Sequence, residues 1–290
     1  MKKDCPSTTA LRVAWHRAAH QVLDDPRVFH DPLALLILGE NDRGASQPDS
    51  KWLDRTELAK EAKKAGSLRA FLAARSRYAE DELHAAVKRG VRQYVVLGAG
   101  LDTFAYRNPY PEGGLRVFEV DHPDTQIWKS ACLEEAGILV PRTLTFSPVD
   151  FENSTLEEGL LDTGFDRTAS TFFSWLGVTQ YLSISAVHDT LRFVSSMPAG
   201  SAIVFDYTIS PSLLGPAQRQ AFDSLARRVA MAGEPFETFF DPDLLKTTLR
   251  DMGFGLVDDL DTGKINDLYF RGRTDGLSVR GFTHVMNARV

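Results

Sequence analysis

Hydrophobic positions recur at helical spacing in the first third of the chain. They predict a helix from Thr8 or Thr9 to about Leu23, a short helical stretch after Asp31-Pro32, and an amphipathic helix from Ser67 to Gly90. Residues 41–50 are polar apart from Ala45, which predicts an exposed loop or a lid segment. We therefore expect residues 1–90 to form a helical cover within the same unit as the rest of the chain.

After Gly90 the pattern changes to short β-prone runs separated by helical segments. The predicted strands are 93–97, 116–121, 144–149, 169–175, 202–207 and 256–260, with 278–288 as a final edge strand. The predicted helices between them are 123–136, 156–161, 184–197 and 243–252. This alternation is typical of βαβ units and predicts an α/β fold with a mostly parallel sheet over residues 91–290. An insertion at about 211–240 is expected to cover the carboxyl ends of the strands.

The composition agrees with a folded protein that acts on a small ligand. Of 290 residues, 43% are hydrophobic and 25% are charged, and the net charge of −6 argues against a nucleic-acid partner. The longest apolar run, Leu33–Leu38, is too short to cross a membrane, and the first residues do not resemble a secretory signal. With Cys5 and Cys132 as the only cysteines, we expect a reducing, cytoplasmic location and no membrane partner. The oligomeric state is left open.

A glycine turn after the strand 93–97 is the first candidate ligand site. Gly98 and Gly100 allow the backbone to turn tightly and to approach a ligand closely. Thr103 stands where a dinucleotide motif has its third glycine, so the pyrophosphate-binding pattern is incomplete. The alternative is a tight turn that binds nothing.

Acidic residues end the next two predicted strands. Asp121 lies about twenty residues beyond the glycine turn, where a carboxylate typically accepts hydrogen bonds from a ribose diol. Glu119 shares its strand face and is a second candidate. Asp150 and Phe151 match an adenine pocket, in which the carboxylate accepts from the exocyclic amine and the ring covers the base. The alternatives are solvated strand ends for the first two acids and a helix cap for Asp150.

Three segments together resemble the leucine carboxyl methyltransferase family. They are Arg75-Ser76-Arg77-Tyr78 with Asp81, the run from Tyr94 to Arg107 that contains Leu-Gly-Ala-Gly-Leu-Asp-Thr, and Phe118-Glu119-Val120-Asp121-His122-Pro123. The resemblance continues through Asp150-Phe151 and Trp175 to Leu182 and covers most of the chain from about Thr8. It implies a class I S-adenosylmethionine (SAM) methyltransferase: a Rossmann-like, seven-stranded sheet whose last strand is antiparallel, with extra helices as a cover.

The same resemblance implies how SAM is held. Arg75 would bind the methionine carboxylate, Gly98–Gly100 would approach the methionine part, Asp121 would bind the ribose, and Asp150 with Phe151 would bind the adenine. Asp102 would attract the ammonium group or cap the next helix. A guanidinium suits a carboxylate because its donors form a fork of fixed charge, although Arg75 as a surface residue is the alternative. The candidate cofactor-binding residues are Arg75, Gly98, Ala99, Gly100, Asp102, Thr103, Glu119, Asp121, His122, Asp150, Phe151 and Trp175.

One position departs from the family pattern. Many relatives have a glutamate after the fourth strand, in a pattern like Glu-Gly-x-x-x-Tyr-Leu, where this chain has Trp175-Leu176-Gly177-Val178-Thr179-Gln180-Tyr181-Leu182. Trp175 is expected to offer a π face to the sulfonium or the adenosine, or to be a core residue of the strand.

The predicted reaction is methyl transfer from SAM to an oxygen of a small molecule or a peptide C-terminus. A carboxylate acceptor is ionised at neutral pH and needs no general base. A phenol or other hydroxyl needs one, for which His122 is the candidate, and Tyr181 is the candidate for orienting the acceptor.

Two other classes of function compete with this interpretation. A non-catalytic SAM-binding regulatory protein would share the same cofactor site. A nicotinamide-dependent oxidoreductase is disfavoured by Thr103 and by the lack of a Tyr-x-x-x-Lys pair. No metal site is predicted: His16-x-x-x-His20 has the spacing of two zinc ligands, but Arg17 replaces the glutamate of that motif, and helix-surface histidines are the preferred interpretation.

Overall fold

The computed structural model describes residues 8–39, 66–110, 114–161, 163–231, 233 and 235–290. The loop predicted at residues 41–50 lies outside these ranges.

A seven-stranded sheet forms the centre of the described structure. Its strands are β1 Gln93–Leu97, β2 Arg116–Asp121, β3 Leu144–Pro148, β4 Thr171–Trp175, β5 Ala202–Thr208, β6 Leu256–Leu260 and β7 Thr283–Arg289. The order across the sheet is β3-β2-β1-β4-β5-β7-β6. Strands β1 to β5 pair in parallel, and β7 is antiparallel to both β5 and β6. The α/β fold, the mostly parallel sheet and the antiparallel last strand are confirmed.

The position of β7 corrects one expectation, because this strand is not at the edge of the sheet. It lies between β5 and β6, begins at Thr283 rather than Ser278, and buries Val285 on one sheet face and Met286 on the other. The edge strand is β6, whose Asp258 is exposed and whose Asp259 is partly exposed. Charged residues are typical of an edge that does not pair further.

The helices surround this sheet. They are α1 Thr8–Leu23, α2 Gly66–Lys88, α3 Pro123–Glu135, α4 Leu156–Leu160, α5 Ile184–Ser195, α6 Pro216–Met231, α7 Pro242–Asp251 and α8 Thr262–Tyr269. Helix α8 was not predicted, and the stretch after Pro32 forms turns and a 3₁₀ turn at Leu36–Leu38 rather than an α-helix. None of the described helices combines the length and the apolar character needed to span a membrane.

Side-chain alternation along the strands builds a core on each face of the sheet. Val96 and Val204 face a cluster that includes Ala70 and Leu83 of α2. The neighbouring residues in the same strands face the opposite cluster, with α4, α5 and α7. Because α2 packs directly on the sheet, side chains near its middle reach the ends of the central strands.

Candidate active site

A cavity of about 510 Å³ opens at the carboxyl ends of the central strands, a volume typical of small-molecule sites. We call its two sides the sheet wall and the helical wall. The sheet wall consists of Val96–Asp102, Asp121, His122, Thr125, Val149–Asn153, Ser174, Leu176–Val178, Tyr181 and Leu182. The helical wall consists of Thr9, Ala10, Val13, Ala14, Arg17, Arg75, Ser76, Gly233, Pro235 and Glu237.

The predicted glycine turn lies in the sheet wall. Gly98 has φ +64° and Gly100 has φ +45°, in the left-handed region that side chains disfavour. A Cβ atom on Gly98 would overlap Cγ2 of Val178, and one on Gly100 would lie 3.1 Å from Cβ of Ala10. The turn is anchored because the Gly98 N–H donates to the carbonyl of Val120 over 2.8 Å. Glycine is therefore required here both by conformation and by space.

Ala99 and Asp102 continue this wall, but Thr103 does not. Asp102 lines the cavity while its Oδ1 accepts a 2.7 Å hydrogen bond from the Phe104 N–H, at the start of a 3₁₀ turn. Thr103 is fully buried outside the cavity, where its hydroxyl donates to Oδ1 of Asp31 over 2.8 Å. The structure thus corrects the assignment of Thr103: its hydroxyl supports the fold and does not face the cavity.

Asp121 lies at the end of β2 with its carboxylate in the sheet wall. Its Oδ2 accepts from the Gly100 N–H over 2.5 Å, and its Oδ1 accepts from the His122 N–H over 2.7 Å. Burial raises the pKa of Asp121, and these two N–H groups oppose that rise. Each carboxylate oxygen retains a second lone pair, so the group has capacity for two hydroxyl donors.

Glu119 shares the strand but does not reach the cavity. Its Oε2 accepts a 2.6 Å hydrogen bond from Nζ of Lys129, which α3 places over the strand, and its Oε1 has no hydrogen-bond partner among the described residues. Burial raises the pKa of Glu119 to about 7, although the Lys129 ammonium opposes the shift. The expectation that Glu119 lines the site is therefore corrected: of the two acids in β2, the structure places Asp121 alone at the cavity.

Asp150 and Phe151 lie together in the sheet wall. Asp150 accepts from the Glu152 N–H over 3.1 Å and from Nδ2 of Asn153 over 2.7 Å, and these bonds lower its pKa against the opposing effect of burial. Asp150 is not a helix cap, because the hydroxyl of Thr155 caps α4. A carboxylate and an aromatic ring are therefore adjacent, as an adenine pocket needs.

Trp175 lies behind Phe151 and not in the cavity. The two rings have centroids 5.9 Å apart, and Trp175 is fully buried with Nε1 lacking a hydrogen-bond partner among the described residues. Strand alternation places its ring on the same face as Phe173, in the core beside α5. The π face expected for the cofactor is thus turned into the core, and Trp175 supports Phe151 instead.

His122 lines the cavity as the N-cap of α3. Its Nδ1 accepts from the Asp124 N–H over 3.3 Å, and its Nε2 lies 4.0 Å from Oδ2 of Asp150. The Nδ1 lone pair is thus engaged within the first turn of α3 rather than free in the cavity, which argues against His122 as a general base. Tyr181, the other candidate, lines the cavity with its ring 5.5 Å from that of Phe236.

Arg75 brings a buried cation from α2 into the helical wall, so it is not a surface residue. Its Nη1 donates to Oδ2 of Asp206 over 2.6 Å, and Oδ1 of Asp206 accepts from the Gly177 N–H over 2.5 Å. No sequence motif marks Asp206 as a site residue. The available signal was one carboxylate within the otherwise apolar run 202–207, since a buried charge requires a partner.

Arg17 lines the cavity and was not indicated by the sequence. Its Nη1 donates to the carbonyl of Leu101 over 3.2 Å, and its Nη2 donates to the hydroxyl of Thr103 over 2.8 Å and to the carboxylate of Asp31. Its Nη1 also lies 3.7 Å from Oδ2 of Asp102. Arg17 thereby ties the helical wall to the glycine turn.

The two histidines beside Arg17 are buried, which corrects their interpretation as surface residues. Nε2 of His20 accepts from the N–H groups of Val28 and Phe29 over 3.1 Å each, and Nδ1 donates to Asp24 over 2.7 Å. Both ring nitrogens are therefore occupied in holding the turn after α1. Within the described ranges, no group of three or more His, Cys, Asp or Glu side chains is arranged to hold a metal ion.

The chain is similar in sequence to a known family and to named relatives. The sequence model of the leucine carboxyl methyltransferase family matches residues 10–195. YktD of Bacillus subtilis (strain 168), which is named as an S-adenosyl-L-methionine-dependent methyltransferase, is 33% identical over 312 residues that cover 99% of each chain. A protein of Parafrankia sp. (strain EAN1pec) named for the same activity is 35% identical over 201 residues, covering 68% of this chain and 62% of its own length.

Solved structures share the fold at low sequence identity. A protein from Thermobifida fusca described as a methyltransferase has a TM-score of 0.56 and 17% identity, covering 92% of this chain and 98% of its own. A duf574 family protein from Streptomyces avermitilis has a TM-score of 0.55 and 15% identity, covering 88% of this chain and 94% of its own. At such identities the likeness shows the fold alone.

Proposed function

Because this chain belongs to the leucine carboxyl methyltransferase family and is a SAM-dependent methyltransferase, we propose that it methylates an oxygen, namely a carboxylate of a small molecule or of a peptide C-terminus. The family and the cofactor are the premise. The carboxylate acceptor is the proposal, and the hydrogen bonding of the cavity's histidine supports it.

The residues of the cavity fit the parts of SAM. The turn at Gly98 and Gly100 lines the cavity without side chains, so its backbone is open to a ligand. Asp121 has lone pairs for the ribose hydroxyls, Asp150 with Phe151 suits the adenine, and Arg75 suits the methionine carboxylate. When bound, SAM supplies a methyl group activated by a sulfonium. We assign these residues to those parts.

The observation that carries the carboxylate proposal is the hydrogen bond that Nδ1 of His122 accepts from the backbone of α3. It is the one histidine among the described cavity residues, and its Nδ1 lone pair accepts the Asp124 N–H. A phenol, with a pKa near 10, would need a base to remove its proton, whereas a carboxylate is already ionised at neutral pH. The cavity therefore suits an acceptor that needs no proton removed.

With such an acceptor, this chain contributes position and the exclusion of water. The helical wall closes over the ends of the strands, and Tyr181 lies where its side chain can orient the acceptor. Carboxylates are weak nucleophiles when hydrated, so removing water around the reacting oxygen favours its attack on the methyl carbon.

We also propose that residues 1–90 serve as a cover of the unit formed by residues 91–290. In support, α1 and α2 supply Arg17 and Arg75 to the cavity. The insertion at about 211–240 supplies Pro235 and Glu237.

The test uses the full chain with SAM labelled in its methyl group and an extract of bacterial small molecules and peptides. We expect the label to enter products from which mild base releases volatile methanol, because methyl esters hydrolyse and methyl ethers do not. A matched pair, an aryl carboxylate and the phenol of the same ring, serves as the chemical control. Base-stable label, or no transfer by protein that binds SAM in calorimetry, contradicts the proposal.

A further inference from the structure

Asp206 connects three elements that meet at the cavity. Its Oδ2 accepts from Nη1 of Arg75 in α2 over 2.6 Å, and its Oδ1 accepts from the N–H of Gly177, after β4, over 2.5 Å. Its carbonyl accepts from the hydroxyl of Thr179 over 2.8 Å. We propose that Asp206 is a positioning residue for cofactor binding, which orients Arg75 toward the methionine carboxylate of SAM. This inference rests on the assignment of Arg75 above.

Burial makes this contact decisive for where the guanidinium points. Asp206 is 1% exposed and Arg75 is 5% exposed, so neither charge has much water as an alternative partner. Nη1 of Arg75 forms an ion pair with Oδ2 of Asp206 over 2.6 Å. Without that carboxylate, the guanidinium loses the anion that fixes its rotamer.

A neighbouring ring and a neighbouring glycine also define the space around the guanidinium. Its Cζ lies 5.7 Å from the centroid of the Phe71 ring. On Gly177, which has φ +79°, a Cβ atom would lie 2.8 Å from Nη2 of Arg75. The absence of a side chain at Gly177 therefore leaves the space that the guanidinium needs, and Asp206 holds both groups in this arrangement.

The contact with Asp206 should affect the binding of only one part of the cofactor, the methionine part. An arginine that is already held by Asp206 before SAM arrives loses little freedom on binding, which favours affinity. This gain concerns the methionine part, because the adenosine part is assigned to Asp121, Asp150 and Phe151 in the sheet wall. Loss of Asp206 should therefore weaken ligands that carry the methionine carboxylate and spare those that lack it.

Calorimetry with SAM and with 5′-methylthioadenosine, which lacks the amino acid part, tests this inference on the full chain. For Asp206→Asn we expect affinity for SAM to fall about tenfold or more, as for a hydrogen bond to a charged group, with affinity for methylthioadenosine unchanged. Asparagine keeps the size of the side chain and a carbonyl for the Gly177 N–H, so circular dichroism should report a folded protein.

Asp24→Asn is the matched control. Asp24 is also a buried carboxylate that pairs with an arginine of α2, Arg69, over 2.8 Å, but neither residue lines the cavity. This variant should bind both ligands as the unchanged protein does. Gly177→Ala is a second test variant, because its methyl group would push Nη2 of Arg75 aside, and it should show the same selective loss of SAM affinity.

Two results would overturn the role of Asp206: unchanged SAM affinity in Asp206→Asn, or equal losses for SAM and methylthioadenosine. Arg75→Ala tests the premise separately, since unchanged SAM affinity in that variant removes the assignment of Arg75 itself. None of these readouts depends on the methyl acceptor, so failure here is distinguishable from failure of the carboxylate proposal.

Discussion

The two walls of the cavity are built from the chain in different ways. The sheet wall lies at the ends of parallel strands and in the segments after them, as the Gly98 turn follows β1 and Asp121 ends β2. The helical wall is held by contacts between distant residues, such as Arg17 with the carbonyl of Leu101 and Arg75 with Asp206. Local backbone conformation therefore fixes one wall, and buried charge pairs fix the other.

Because of this difference, the two walls offer different kinds of binding groups. Strand ends and a glycine turn give fixed polar groups for a ribose and a base. A wall held by ion pairs depends on the protonation and packing of its side chains. Adding a side chain at a tightly packed glycine should therefore destabilise the sheet wall most. A decrease in pH should act mainly on the helices that form the helical wall.

The largest effect is expected for Gly98→Ala. The new methyl group combines left-handed strain of about 1–2 kcal/mol with an overlap with Val178 that costs about 1–3 kcal/mol. Urea unfolding should show a loss of about 2–5 kcal/mol. Gly90→Ala is the control, because Gly90 has φ +108° but no atom within 4 Å of its Cβ position, so it should lose only the strain. Equal losses in the two variants would refute the close approach at Gly98.

Acid should lower the folding stability through His16 of α1, the helix that supplies Arg17 to the helical wall. Burial lowers the pKa of His16 to about 4, and the charges of Arg12 and Arg69 add to this shift. In the unfolded chain the pKa is near 6.5, so between pH 6.5 and 4 the unfolded state takes up the proton and folding stability decreases as the pH falls.

His16→Gln removes this proton uptake. Relative to the variant, the unchanged protein should lose stability on the order of 2 kcal/mol between pH 7 and pH 4, measured by urea unfolding at each pH. Parallel pH curves for the two proteins would show that His16 is not held neutral.

Substitutions of the two acids of β2 should have different effects on SAM affinity. Asp121→Ala is expected to lower SAM affinity about tenfold or more, since its carboxylate faces the cavity. Glu119→Gln, with its side chain against Lys129, should leave SAM affinity nearly unchanged. Calorimetry that found the opposite order would move the ribose contact to Glu119.

The smallest effect on binding is expected for Trp175→Phe. This ring lies in the core behind Phe151, so SAM affinity should not change measurably. Phe151→Ala is the paired variant and should weaken SAM binding, because Phe151 lines the cavity. If the tryptophan variant lost SAM affinity while remaining folded, the π contact would have to be reconsidered.

The sequence predicted the sheet wall better than the helical wall for a physical reason. A glycine pair after a β-prone run and an acid at the next strand end are local signals, and Gly98, Gly100, Asp121 and Asp150 all line the cavity. Arg75 was assigned only by resemblance to a family. Its partner Asp206 is 131 positions away, a pairing that no local pattern reveals.

The sequence interpretation was wrong where the outcome depends on contacts between distant parts of the chain. Glu119 was assigned by strand alternation and Trp175 by the family pattern, but the depth of a side chain below the strand end depends on packing against Lys129 and Phe151. The β7 strand was expected at the edge because it is last in sequence, whereas its insertion between β5 and β6 is a property of topology. The strand positions themselves differ from the prediction by a few residues at most, except at the start of β7.

Hydrogen exchange measured by mass spectrometry, with and without saturating SAM, tests most directly whether both walls hold the cofactor. We predict that SAM increases protection in peptides that carry Gly98–Asp102 and Asp121–His122, and also in peptides that carry Thr9–Arg17 and the segment after Gly233. Protection confined to the sheet wall would contradict the account, as would protection outside both walls.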